Sequence, residues 1–201
     1  MDARHSGDGT SGWSLVELLI VVGVSLVAAG FAAAALAPMA AGARAEGAAR
    51  YLAALLQRER LEAVRTGRVT GLRFRDDAIH GATFETVEDG NGNGLRIAEL
   101  DAGVDRTRGA VTRASDGFAG VRFAIVDAAP GIDGGPSLVA GGDPIRIGGA
   151  LLAFAPDGGA TSGTLYLASA DRRQFAVRIL GATGRVRVYE LDRATSQWVA
   201  R

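Results

Sequence analysis

Cysteine is absent from this chain, so neither a disulfide framework nor a thiolate metal site can form, and any part outside the cytoplasm must be held by its core alone. Histidine is nearly absent, with only His5 and His80. A Ser-His-Asp mechanism would rest on His80, which lies in Asp76-Asp77-Ala78-Ile79-His80-Gly81 with no nucleophile motif beside it. The reading is therefore of a protein that is not an enzyme, with no catalytic residue and no cofactor. Lysine is missing as well: all 22 basic residues are Arg, balanced by 22 acids. A formal charge of zero removes any global electrostatic argument for nucleic acid or acidic lipid. The 201 residues are enough for one ordinary domain and a membrane helix.

What is present is concentrated near the N-terminus. Residues 18–37 are twenty consecutive uncharged, mostly apolar positions, a helix of roughly 30 Å and so the thickness of a bilayer's hydrocarbon core. Glu17 stands directly before this run, and an acid at the edge of lipid points to a functional role with a partner. A secretory signal has a basic start, a core of about 7 to 15 residues and a small-residue cleavage site after it. Here the apolar run is longer and an acid precedes it.

The stretch Gly12-Trp13-Ser14-Leu15-Val16-Glu17, followed by Leu18-Leu19-Ile20-Val21-Val22, resembles the processing site of type IV pilins and type II secretion pseudopilins. Their pattern is Gly, Phe, Thr or Ser, Leu, any residue, Glu and an aliphatic run. Two features depart from it: Trp13 replaces the usual Phe, and the leader carries Asp2 and Asp8 beside Arg4 where short basic leaders are the rule. The resemblance implies that a prepilin peptidase cuts between Gly12 and Trp13 and methylates the new Trp13 terminus. It also implies that Glu17 pairs with the terminal amine of a neighbouring subunit during assembly, and that lipid, an inner-membrane assembly platform and other pilin-like subunits are partners. Loss of residues 1–12 would leave a charge of about +1.

Beyond the apolar run, Pro38, Gly42 and Gly47 mark 38–47 as the weak segment of the helix. Helical spacing returns at Ala48, Leu52, Leu55, Leu56 and Ala63, and Gly67 is a natural stop. The stem is thus predicted from Trp13 to about Thr66. After residue 68 the period changes to two, with strands predicted at 69–75, 82–87, 95–100, 121–126, 145–147, 151–154, 164–169, 174–180 and 185–191. The Gly- and Pro-rich residues 127–144 read as an exposed loop. The fold class is α+β, a long N-terminal helix packed on an antiparallel sheet or sandwich. Its parts are a leader (1–12), a transmembrane and polymerisation helix (13–37), an amphipathic second half (38–67) and a periplasmic β domain (68–201).

The segments Phe154-Ala155-Pro156-Asp157-Gly158, Gly163-Thr164-Leu165-Tyr166-Leu167, Phe175-Ala176-Val177-Arg178-Ile179 and Gly184-Arg185-Val186-Arg187-Val188 resemble, in that order, the soluble domain of the GspH/FimT pseudopilin family. This resemblance implies a minor pseudopilin of a type II secretion system, a structural subunit near the tip of the pseudopilus. The alternative it carries is a FimT-like type IV minor pilin that binds DNA for uptake or primes a pilus.

Two further groups of residues are candidate sites. Asp89, Asn91 and Asn93, with Gly94 in sixth place, match the first half of a calcium loop. The twelfth position is Leu100, between Glu99 and Asp101, so an Asn-Gly turn between strands is the expected structure there. The second group is Arg185 and Arg187, which strand alternation puts on one face, opposite Val186 and Val188. They belong to a C-terminal segment, 171–201, with a local charge of +4, whereas 76–133 carries −6. Two arginines on one face suit phosphate contact in the DNA reading, and equally the solvated face of an outer strand.

Overall fold

The computed structural model describes residues 14–77 and 81–201, with the side chains of 32–38, Asp77 and Asp133 outside the description. The chain divides into two units, Met1–Met39 and Ala40–Arg201. Helix α1 is assigned from Leu15 to Thr66. Ser14 starts it: its side-chain oxygen accepts the Glu17 N–H at 3.2 Å and its carbonyl accepts the Leu18 N–H at 3.1 Å, the behaviour of an N-cap. Gly67 stops it as predicted, at φ +68 with its N–H donating to the Ala63 carbonyl at 3.0 Å.

The helix assignment runs without a break through 38–47, the segment where Pro38, Gly42 and Gly47 weaken helical propensity. Within the second unit the two glycines serve packing. A Cβ on Gly42 would meet the Arg173 side chain, and one on Gly47 would lie 3.0 Å from the Phe118 ring. Their lack of a side chain lets other elements approach the helix.

In the second unit, α1 is followed by β1 (Thr70–Asp77), β2 (Gly81–Glu88), α2 (Ile97–Asp101), β3 (Arg106–Thr107), β4 (Thr112–Arg113) and α3 (Ala114–Gly117). Then come β5 (Arg122–Phe123), a 3₁₀ turn (Ile132–Gly134), β6 (Ile145–Arg146), β7 (Leu151–Phe154), β8 (Gly163–Ala168), β9 (Gln174–Leu180), β10 (Arg185–Asp192) and β11 (Gln197–Ala200). Sheet A has the order β3-β2-β1-β7, with β4 also on β2; sheet B has the order β11-β10-β9-β8-β5, with β6 also on β8. All the described strand pairs are antiparallel. The expected α+β class, a helix packed on antiparallel sheets, is the observed one.

Alternation explains which faces meet. Leu72 and Phe74 of β1 turn inward with Phe84 of β2, and Leu165, Leu167, Phe175, Val177 and Ile179 do so from sheet B. Ala45, Ala48, Ala49, Leu52, Leu56 and Ala63 of α1 complete this core, the small residues letting the helix approach closely. Phe74, Phe84 and Phe123 form an aromatic triangle with centroids 6.0 to 6.2 Å apart. Each fully buried large side chain, Leu56 for example, contributes about 1.5–3 kcal/mol of burial. Polar ties fix the helix to sheet A: the Thr70 hydroxyl donates to the Glu59 carbonyl at 2.7 Å, and buried Glu59 is paired with Arg108, which follows β3.

One sequence expectation fails here: residues 95–100 do not form a strand, and α2 occupies 97–101 with none of its residues buried. Residues 127–144 are mostly exposed, as expected of a loop, but Ala129, Ile132 and Leu138 within them are buried with Ile125, Tyr166, Ala176 and Leu191 in a second cluster. The segment is anchored at its start by Gln174, whose side-chain oxygen accepts the Val126 and Asp127 N–H groups at 2.8 and 3.0 Å. It is closed by a Leu138 N–H to Ala129 carbonyl bond of 2.8 Å and by the Trp198 indole N–H on the Pro130 carbonyl at 2.9 Å. Sheet B is therefore buried on both faces at its centre, where every residue of β8 is buried.

Candidate functional site

Gly12 and Trp13 lie outside the described residues, as does His80. Glu17 is in the first turn of α1, where the positive end of the helix dipole favours an acid. Its side chain is exposed, among exposed apolar neighbours from Leu15 to Phe31. Ser14-Leu15-Val16-Glu17 also has the spacing of a capping box, a local signal that the reading of the sequence did not use. Among the described residues no helix is long and apolar enough to cross a membrane. The uncharged run of 18–37 includes 32–38, whose side chains lie outside the description.

The Asp89 loop leads from β2 into α2 and not into another strand, which corrects the expected hairpin turn. Asp89 is buried, and its carboxylate accepts the Asn91 and Gly92 N–H groups on one oxygen, at 3.1 and 2.7 Å, and the Gly94 N–H on the other at 2.8 Å. Burial would raise its pKa, but the backbone donors of Gly94, Gly92 and Asn91 together hold it below the ordinary aspartate value. The Asn91 and Asn93 amides both donate to the Glu99 carboxylate at 2.9 Å. Asp105 accepts the Gly90 and Arg96 N–H groups at 3.0 Å each. The three calcium candidates are thus brought together with Glu99, through hydrogen bonds inside the loop. Asp101 instead pairs with Arg73 at 2.7 Å. Among the described residues no group of three or more His, Cys, Asp or Glu is placed to hold a metal ion.

Arg185 and Arg187 are exposed on one side of β10, as alternation requires. Arg187 stands opposite Arg178 of β9, Arg178 opposite Thr164 of β8, and Thr164 opposite Arg146 of β6. Arg146 and Arg178 are not among the candidate residues expected from the sequence. Each sits between apolar residues of a predicted strand, Ile145 and Ile147 or Val177 and Ile179, which was a usable signal for an outward face.

Against known proteins, a model of the family described as "Type II transport protein GspH" matches residues 48–184. The chain belongs to the GspH family. The match takes in α1 from Ala48, both sheets as far as β9 and the Asp89 loop; Glu17 lies before it, and Arg185 and Arg187 lie just after it. The solved structure of the minor pseudopilin EpsH from the type 2 secretion system of Vibrio cholerae aligns over 72% of this GspH-family chain and 95% of its own, at 16% identity and a TM-score of 0.44. No curated protein matches significantly.

Proposed function

We propose that this GspH-family protein is a minor pseudopilin of a type II secretion system, a structural subunit near the tip of the pseudopilus and not an enzyme. The observation that carries the reading is the family match across the docked helix and both sheets, which joins a pilin-type N-terminal sequence in one chain. In this reading a prepilin peptidase removes 1–12 and methylates Trp13. Residues 13–37 then anchor the protein in the inner membrane, with the N-terminus cytoplasmic and the β domain periplasmic. On extraction by the assembly platform, Glu17 pairs with the amine of a neighbour's Trp13. In a low-dielectric setting an unpaired carboxylate is costly, so charge compensation selects the register.

Mass spectrometry of the protein from its host's membranes tests this, with an N-methylated Trp13 terminus as the expected result. An intact Met1, or cleavage within 34–41, would remove the basis for a filament role. Glu17→Ala should be processed and inserted yet enter the pseudopilus poorly; incorporation at the wild-type level would sink the pairing.

A further inference from the structure

The outer face of sheet B is divided. One part is covered by 127–144, which packs on Tyr166, Ala176 and Leu191. Beside it Arg187, Arg178, Thr164 and Arg146 stand opposite one another in the register of four strands. With strands about 4.8 Å apart the row is roughly 14 Å long. Arg185 adds a positive charge on the same face of β10. Neither Arg185 nor Arg187 has an ion-pair partner among the described residues.

At the Arg146 end the row borders a cavity of about 230 Å³ lined by Gly131, Ile132, Gly135 and Pro136 and, from sheet B, by Thr164, Tyr166 and Arg178 as well as Arg146 itself. Arg146 is braced there, with one guanidinium N–H on the Pro136 carbonyl at 3.2 Å and its carbon 6.0 Å from the centre of the Tyr166 ring. Burial pushes the Tyr166 phenol up from its ordinary pKa, and its hydrogen bond with Thr164 opposes this. The Arg146 guanidinium is thus held at the edge of a space for a small anion, the Thr164 hydroxyl accepts from Arg178 at 3.3 Å, and Arg187 and Arg185 lie further along the face.

We propose that this row is a docking site for an acidic segment of a partner protein, one carboxylate entering the cavity beside Arg146 and others lying along the row to Arg187 and Arg185. Guanidinium groups match carboxylates in bidentate geometry. One observation favours a short acidic segment over a nucleic acid. The row ends against the cavity wall made by Gly131, Ile132, Gly135 and Pro136, where a continuous phosphate backbone would have to leave the face. This inference concerns sheet B alone and does not depend on the filament reading.

The test uses the full-length protein in detergent, with a fluorescent oligoglutamate peptide and a single-stranded oligonucleotide of equal charge, each at low and at physiological salt. The peptide is expected to bind more tightly than the oligonucleotide. Arg187→Glu and Arg185→Glu should each weaken it roughly tenfold, while Arg58→Glu on the outer face of α1 should leave it unchanged. Arg187→Gln and Arg146→Gln, with thermal melts alongside, separate loss of charge from loss of fold. Tighter oligonucleotide binding would make the face a nucleic-acid site and overturn the proposal. So would an absence of peptide binding, or an equal loss in the Arg58 variant.

Discussion

A buried carboxylate that accepts three backbone N–H groups is unusual enough to set the acid sensitivity of its loop, and Asp89 is such a group. Its folded pKa lies below the ordinary aspartate value, so its stabilising contribution is complete above about pH 4 and is lost as pH falls through the lower folded value. Asp89→Asn should cost on the order of 2 kcal/mol at neutral pH and flatten the acid limb of stability relative to wild type. Urea unfolding at pH 7 and at pH 3 measures both, and equal losses at the two pH values would rule out the carboxylate as the cause. Glu99, also held low, by the Asn93 amide first, titrates in the same sense, so the difference between variant and parent is the quantity to read. This residue also marks a limit of sequence reading. Asp-x-Asn-x-Asn-Gly spells both the start of a cation loop and a turn whose aspartate binds its own backbone, and spacing does not say which way the carboxylate faces.

Among the elements, β7 and β9 fall where their apolar runs and flanking Gly or Asp placed them, because each is a run of four or more residues, β7 alternating between buried and half-buried positions and β9 largely buried on both faces. Strands β3 and β4 went unread because two exposed or half-exposed residues carry no period, and β11 because Gln197 to Ala200 has little apolar alternation. Residues 95–100 mislead because Leu95 and Ile97 fit a period of two while Ile97 and Leu100 fit a helical turn, and the turn that forms holds Glu99 against Asn91 and Asn93. The three buried residues of the mostly exposed segment 127–144 were hidden among its glycines and prolines, since they are spread along the chain. One glycine in a strand is decisive for sheet A. A Cβ on Gly71 of β1 would collide with the Leu152 carbonyl and lie 3.0 Å from the Ala153 Cα, both backbone atoms of β7. The backbone cannot swing aside as a long side chain could, so Gly71→Ala should separate β7 from β1 and cost about 1–3 kcal/mol. Amide exchange would locate the damage. Unchanged protection of 151–154 would count against the argument.

At the scale of the whole molecule the two units differ in the solvent each requires. From Leu15 to Phe31 the large apolar side chains are exposed on all sides of α1, so this segment has to find lipid or other helices. From Ala45 onward the apolar stripe of α1 lies in the main core with both sheets, and every residue of that core is in the second unit. A chain beginning at Ala40 therefore keeps all the contacts of the main core and of the second cluster on sheet B. Expressed alone, it should be soluble without detergent and unfold in one cooperative transition. Leu56, fully buried in the main core, then reports whether the helix is part of that transition. Leu56→Ala should lower the stability of the truncated chain by about 2–5 kcal/mol, the transfer and cavity cost of a core leucine, with no change in the slope against denaturant. A loss below 1 kcal/mol would mean that the second half of α1 is not packed as the core requires. A truncated chain that binds hydrophobic dye and melts without a sharp transition would mean that residues before Ala40 are needed to hold the helix in place.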